Sequence, residues 1–287
     1  MKIDFHVHLT PPEIIGNWEE YAKNEPYFSL LSSGKKNKFV DAEDVVAALD
    51  NEDSPFDKAV VFGFAFNDVG LCRLVNDYVI DSVKKYADRL IGFCVVPSLQ
   101  NCRCGEIAKE IERCYSAGLK GVGELFPAGQ GINLEDKSET DKITGVCKEL
   151  GLPLLLHINE LVGHQYPGKT DAPLRQFETF IVNNPGLNIV LAHLGGGLMF
   201  YETMPEIKKA FTNVYYDTAA APFLYDAKIY SVAKTLGLCR KILFGSDFPL
   251  LPPSRYMNAL NESSLTNEDK QLILGGNAVK LLEGNIK

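Results

Sequence analysis

Five histidines occur in the 287 residues, at positions 6, 8, 157, 164 and 193, and four of them close short apolar runs. In His6-Val7-His8 the two-residue period of an extended strand turns both imidazoles to one face, with Val7 on the other. His157 and His193 end two later apolar runs, Glu124 ends another, and Asp247 ends the last. Neutral imidazoles together with carboxylates make the N/O donor set that suits zinc or a similar divalent ion, with no cysteine needed. Such a cation lowers the pKa of a water to about 7 and polarises a carbonyl, which is hydrolytic chemistry. Asp247 could then take the proton of the water and return it to the leaving group. Each residue also has an ordinary alternative. A strand histidine can be a satisfied structural residue, Glu124 can be a salt-bridge partner, and Asp247 can cap a turn. The conjunction of all six points to a metal site.

Eight apolar runs could position these residues: Ile3–Leu9, Ala59–Phe64, Leu90–Val96, Leu119–Leu125, Pro153–Ile158, Asn188–His193, Asn213–Asp217 and Lys241–Asp247. Continuous rather than alternating hydrophobicity marks strands covered on both faces, and each gap is long enough for a crossover helix. Helices are expected at Asp41–Leu49 with Asp41 as N-cap, Gly105–Ala117 ending in Gly118, Asp141–Leu150 ending in Gly151, and Asn267–Leu274. Eight such units predict an α/β fold, a single-domain (β/α)₈ TIM barrel spanning residues 1–287, whose strand C-termini converge on one axial pocket. A doubly wound open sheet is the alternative, but no Gly-rich phosphate loop follows the first strand.

Two segments exceed a plain barrel. Residues 10–40 read as a lid-like insertion between the first strand and the first helix, with Pro11-Pro12, several aromatics and the run Lys35-Lys36-Asn37-Lys38; a solvated loop is the plainer alternative. Asn159–Pro173 follows the fifth strand. It carries His164, Tyr166 and Lys169, which could fold back over the pocket as substrate-binding groups, joined by Tyr201 and Tyr225. The Gly195-Gly196-Gly197 run could present backbone N–H groups to an anionic atom or simply make a tight turn needing positive φ.

Composition bounds the partners. With 29 Lys+Arg against 37 Asp+Glu the net charge is −8, which argues against nucleic acid. No apolar run reaches the ~18–20 residues that span a bilayer, and the first residues lack the apolar stretch of a signal peptide, so no membrane partner and a cytoplasmic location are expected. Seven scattered cysteines fit reduced thiols. A small-molecule substrate is expected, and a homodimer is possible.

The ordered motifs Asp4-Phe5-His6-Val7-His8, Leu156-His157, Ala192-His193-Leu194-Gly195-Gly196-Gly197, Phe244-Gly245-Ser246-Asp247-Phe248-Pro249 and Gly276-Asn277-Ala278 resemble the amidohydrolase superfamily. The similarity runs from residue 3 to about 283. It is strongest to the amidohydrolase-related branch that includes aminocarboxymuconate-semialdehyde decarboxylase-like enzymes. The resemblance implies a metal-dependent barrel in which His6, His8, His157 and Asp247 bind a divalent ion and His193 is a second-metal ligand or a catalytic group. Glu124 departs from branch members without a ligand at that position, which in two-metal members of the superfamily holds a bridging carboxylate.

Three functions follow. The first is a hydrolase of a C–O or C–N acyl bond, with one or two ions per chain. With two, His6, His8 and Asp247 hold one, His157 and His193 the other, and Glu124 bridges; with one, His157 joins the first set and His193 becomes a base or electrostatic stabiliser. The second is a mononuclear decarboxylase or hydratase of an unsaturated or aromatic carboxylic acid, which needs cations near the substrate; Lys35, Lys36, Lys38, Lys169 and Arg255 are candidates. The third is a metal-binding protein without catalysis.

Overall fold

The computed structural model describes residues 1–33, 39–52, 54–102 and 105–283. Eight parallel strands appear in the expected order: β1 (Ile3–His8), β2 (Lys58–Phe62), β3 (Leu90–Gly92), β4 (Val122–Leu125), β5 (Leu154–Leu156), β6 (Ile189–Leu191), β7 (Val214–Asp217) and β8 (Ile242–Leu243). Pairing follows chain order within β1–β3 and within β4–β8. Two parallel bridges, Cys94 to Val122 and Val7 to Phe248, join the two sets. Gly123 N donates to Cys94 O at 2.7 Å across the first seam, and Asp247 N to His6 O at 2.9 Å across the second. These contacts complete a (β/α)₈ barrel, with strands buried on both faces as their unbroken apolar patterns require.

A compact buried cluster draws Phe5, Phe62, Phe93, Leu155, Val190 and Leu243 from around the barrel and adds Leu281 and Leu282 of the C-terminal helix. Phe62 of this cluster stands edge-on to His6 and His8, with ring centroids 5.0 and 5.2 Å away. The apolar floor and the polar site are therefore in direct contact.

Local chemistry explains most element boundaries. Asp41 caps the helix Ala42–Leu49 by a capping box with Asp44. Gly151 ends Lys137–Leu150 in the left-handed region, where a missing Cβ removes the steric penalty. That helix begins four residues before the expected Asp141, because Asp136 accepts from Ser138 N and Glu139 N and caps a polar first turn that carries no apolar period. The expected helix Asn267–Leu274 is α-helical only to Gln271 and continues as a π-turn over Leu272–Gly276. The 10–40 insertion is more ordered than a loop: it contains helices Pro12–Asn24 and Pro26–Leu31, each started by a proline at a first-turn position, where the missing N–H has no partner to lose. Lys35, Lys36 and Lys38 lie outside the described residues. Strands β5, β6 and β8 stop short of His157, His193 and Asp247, which follow them by one, two and four residues, so these side chains leave from beyond the strands. Among the described residues no helix is long and apolar enough to cross a membrane.

Candidate metal centre

His6, His8, Glu124, His157, His193 and Asp247 converge at the C-terminal end of the barrel. Glu124 lies at the middle, essentially inaccessible, and its two oxygens face different partners. Oε2 stands 3.6 Å from His6 Nε2 and 3.6 Å from His8 Nε2. Oε1 stands 3.1 Å from His157 Nδ1 and 3.6 Å from His193 Nε2. The Nε2 of His193 is in turn 3.1 Å from His157 Nδ1. Asp247 closes the first half, with Oδ1 3.6 Å from His6 Nε2 and 3.3 Å from His8 Nε2. Two potential ligand triads thus share one carboxylate: His6, His8 and Glu124, and Glu124, His157 and His193.

The backbone aims these side chains. His193 and Asp247 have φ of +55° and +59°, a left-handed conformation that non-glycine residues adopt at a cost and that recurs at functional sites. Both are held there by hydrogen bonds. His193 N donates to Asp217 Oδ1 at 3.0 Å, and Asp247 N donates to His6 O at 2.9 Å. Gly195, Gly196 and Gly197 all take positive φ, and a Cβ on Gly196 would come within 2.5 Å of Asn159 O. The glycine run therefore serves a close approach between the loops after β5 and β6.

The partners of the outer ring nitrogens decide the tautomers. His6 Nδ1 lies 2.8 Å from Asp217 Oδ2, and His193 Nδ1 lies 3.0 Å from Ala219 O. Both oxygens only accept, so each Nδ1 carries the proton and each Nε2 offers its lone pair inward when the ring is neutral. His6 Nε2, His8 Nδ1 and His157 Nε2 are buried without a hydrogen-bond partner.

Electrostatics within the cluster show what it needs. Burial alone would lower His6, but the Asp217 and Glu124 carboxylates outweigh it and hold the imidazole well above its ordinary value. Burial likewise opposes His193, which its hydrogen bond to Glu124 and the Asp247 charge raise to about 9. Burial pushes Glu124 and Asp247 upward, yet the surrounding imidazoles hold Glu124 well below its usual range and Asp247 at about 2. His157, dominated by burial, is lowered. Protons on histidine thus neutralise buried carboxylates where a cation would otherwise do so.

The donor spacing fits that cation. Ligands ~2.05 Å from a common centre stand ~2.9–3.6 Å apart for angles of about 90–120°, and the contacts above run from 3.1 to 3.6 Å. An inward lone pair on His6 Nε2 with no protein partner is the expected state of a ligand atom.

The remaining expected site residues are placed less uniformly. Tyr166 is partly buried and donates to Glu160 Oε2 at 3.0 Å. The Tyr225 hydroxyl is buried and has no hydrogen-bond partner. Lys169 spends its ammonium on Val162 O and His164 O, at 2.6 and 3.1 Å, and so braces its own loop. His164 and Arg255 are exposed, and Tyr201 is 49% exposed. Three participants escaped the sequence reading. Asp217 ends β7, the same strand-end signal that singled out Glu124, and it fixes both His6 and His193 N. Asp4, within the first motif, accepts from His6 N and Ser246 N at 3.3 and 2.9 Å, and burial raises it to about 7. Tyr27, from the insertion, donates to Gly168 O at 3.0 Å, with its ring centroid 6.3 Å from that of His157.

A family model described as Amidohydrolase matches residues 3–284. Among solved structures, 5-carboxyvanillate decarboxylase from Sphingomonas paucimobilis superposes with a TM-score of 0.74 at 14% identity, covering 98% of each chain. The corresponding enzyme of Novosphingobium aromaticivorans, complexed with manganese and a nitrobenzoic acid, gives 0.72 at 17% identity, covering 99% of this chain and 96% of that one. A probable 2-pyrone-4,6-dicarboxylic acid hydrolase from Acinetobacter baumannii, with citric acid bound, gives 0.65 at 17%, covering 98% of this chain and 99% of that one. No curated protein matches the sequence.

Proposed function

Because this chain belongs to the amidohydrolase family of metal-dependent enzymes, we propose that it hydrolyses a C–O or C–N acyl bond of a small molecule at a two-metal centre. One observation carries the reading: the two oxygens of Glu124 face separate pairs of ring nitrogens. That is how a carboxylate shared by two cations is arranged. His6, His8 and Asp247 would hold one ion, His157 and His193 the other, and the imidazole–carboxylate donor set favours zinc. Bound there, the ions supply an activated water at neutral pH and a Lewis acid for the acyl oxygen.

The chain supplies the rest. Asp247 turns Oδ1 to His6 and His8, and its second oxygen is assigned to accept the proton of the attacking water and to deliver it to the departing oxygen or nitrogen. His193 is positioned through Asp217 and Ala219, which fixes its ring so that Nε2 would be offered inward to the second ion. The apolar ring of Phe62 and the stacked pair of His8 and Phe64, 4.7 Å apart, limit water on the β2 side.

Decarboxylation expels a neutral product and needs no nucleophile at a shared carboxylate. It needs cations for substrate carboxylates, and of the described candidates Lys169 is engaged with backbone oxygens and Arg255 is exposed. Free thiols at Cys72, Cys94, Cys102, Cys114, Cys147 and Cys239 support a reducing, cytoplasmic setting. Elemental analysis of purified protein and of Glu124→Gln tests the reading. Two equivalents of metal falling to one, with loss of hydrolysis across an ester and amide panel, are expected; a single equivalent in both proteins refutes the two-metal hydrolase and restores the decarboxylase.

A further inference from the structure

The four imidazoles of the cluster are oriented in two different ways. His6 and His193 each give their outer nitrogen to an acceptor at the end of β7, Asp217 and Ala219. Such a bond is the usual means of fixing a ring against a metal. His8 and His157 have none. His8 turns Nε2 toward Glu124 and His157 turns Nδ1, and the opposite nitrogen of each is buried without a hydrogen-bond partner. Other rings hold them instead. Phe64, two residues past β2, lies parallel to His8, with centroids 4.7 Å apart and planes inclined by 8°. Phe126, one residue past β4, lies 5.0 Å from His157 at 45°.

Both phenylalanines are backed by one short helix of the insertion, Pro26–Leu31. Successive helical residues diverge by about 100°, which sends the neighbours Tyr27 and Phe28 to different sides. Phe28 meets Phe64 at 5.2 Å. Tyr27 meets Phe126 at 4.9 Å and stands 6.3 Å from His157 itself. The helix is anchored to the loops that bear these rings. Glu25 accepts from Asn67 N and Asp68 N at 2.7 and 2.9 Å, on the loop that carries Phe64. Tyr27 Oη donates to Gly168 O at 3.0 Å, on the loop that follows His157. A Cβ on Gly129 would fall 2.2 Å from the Tyr27 ring, so that ring is seated on the backbone just past Phe126. Aromatic pairs at centroid distances of ~4.5–7 Å attract beyond simple burial, and packing of this kind locks a ligand rotamer as a hydrogen bond does.

We propose that Tyr27 and Phe28 are positioning residues of the metal centre: Phe28, through Phe64, sets the His8 ring, and Tyr27, with Phe126, sets the His157 ring. Each ion then depends on the end of β7 for one imidazole and on the insertion for the other. The insertion thereby belongs to the ligand framework. The assignment of one ring to each ion rests on the two-metal reading; the ring contacts apply to a single ion as well.

Zinc affinity is measured by competition with a chromophoric chelator in two backgrounds: His193→Ala, which leaves His6, His8, Glu124 and Asp247, and His6→Ala, which leaves Glu124, His157 and His193. Phe64→Leu and Phe28→Leu are expected to lower affinity about three- to tenfold in the first background, the worth of one aromatic pair, and less than about twofold in the second. Phe126→Leu and Tyr27→Leu should do the reverse. Phe64→Tyr, which keeps the stacked ring, should retain the affinity of its parent. Circular dichroism verifies folding, and Phe64, being only half-buried, is the substitution the core tolerates best. Where the wild type binds two equivalents, unchanged affinity in folded leucine variants, equal losses in both backgrounds, or a loss in Phe64→Tyr as large as in Phe64→Leu overturns the proposal. A single equivalent in the wild type refutes the two-metal reading instead. Phe64→Leu and Phe126→Leu must then both weaken that one ion, and an unchanged affinity overturns the positioning role as well.

Discussion

Replacing Asp217 by Asn changes one atom and tests the tautomer argument directly. Asp217 Oδ1 accepts from His193 N and Ala219 N, both at 3.0 Å, while Oδ2 accepts from His6 Nδ1 at 2.8 Å. The amide of Asn can keep only one of these faces as an acceptor. Turning its NH₂ toward the two backbone donors would strand both in the interior, at roughly 1–3 kcal/mol each. The cheaper choice keeps oxygen on the backbone and places NH₂ against His6. His6 must then accept at Nδ1 and carry its proton on Nε2, the atom facing Glu124 and Asp247. Recovering the other tautomer costs about one charge-assisted hydrogen bond, ~1.5–3 kcal/mol. That range agrees with the roughly 10–100-fold loss of metal affinity, about 1.4–2.7 kcal/mol, seen when such outer partners are removed. Competition with a chromophoric chelator measures it, with circular dichroism to verify folding. The weaker equivalent should be the one held by His6 and His8, so His8→Ala in the Asp217→Asn background should weaken that same equivalent further and leave the other unchanged. Wild-type affinity for every equivalent of metal in folded Asp217→Asn refutes the argument.

Other expectations follow from the same contacts. Asp247→Asn should reduce hydrolysis by ~10²–10⁴-fold; steady-state turnover near wild type removes its proton-transfer role. Gly196→Ala puts a Cβ 2.5 Å from Asn159 O at a φ of +55°, so thermal melting should show a loss of ~1–3 kcal/mol, together with weaker metal retention; an unchanged melting temperature contradicts the close approach. Asp269 is held at about 2, chiefly by the Thr266 N–H with help from Lys234. A carboxyl lowered on folding stabilises above its unfolded value near 3.8 and loses that contribution as pH falls through about 2. The melting-temperature gap between wild type and Asp269→Asn should therefore be full at pH 6 and shrink between pH 4 and 2; a gap independent of pH assigns it to packing.

The barrel and the six central residues were readable because parallel strands write long apolar runs and because active groups collect at their C-terminal ends. His6 and His8 needed only the two-residue period. Asp217 was present at the end of its own run but looks like any polar strand terminus; its meaning depends on β1 and β7 lying within one hydrogen bond of each other, a contact 211 residues apart. Pro12 and Pro26 illustrate a local ambiguity, since proline ends a helix and also begins one, and only the following turns, Glu13–Asn24 and Tyr27–Leu31, decide.

The two seams of the barrel give the cluster a second significance. Glu124 stands beside the seam between β3 and β4, and Asp247 bonds across the seam between β8 and β1. His6 and His8 belong to the three-stranded set; Glu124 belongs to the five-stranded set, and His157, His193 and Asp247 lie within four residues of the ends of its strands. A cation gripped by His6, His8, Glu124 and Asp247 would act as a rivet through both arcs of the wall, and ligand binding energy would become closure energy for the whole ring. The mouth of the barrel would then be mechanically weakest along two meridians when stripped of metal, and the order of the catalytic rim and the integrity of the cylinder would be one property.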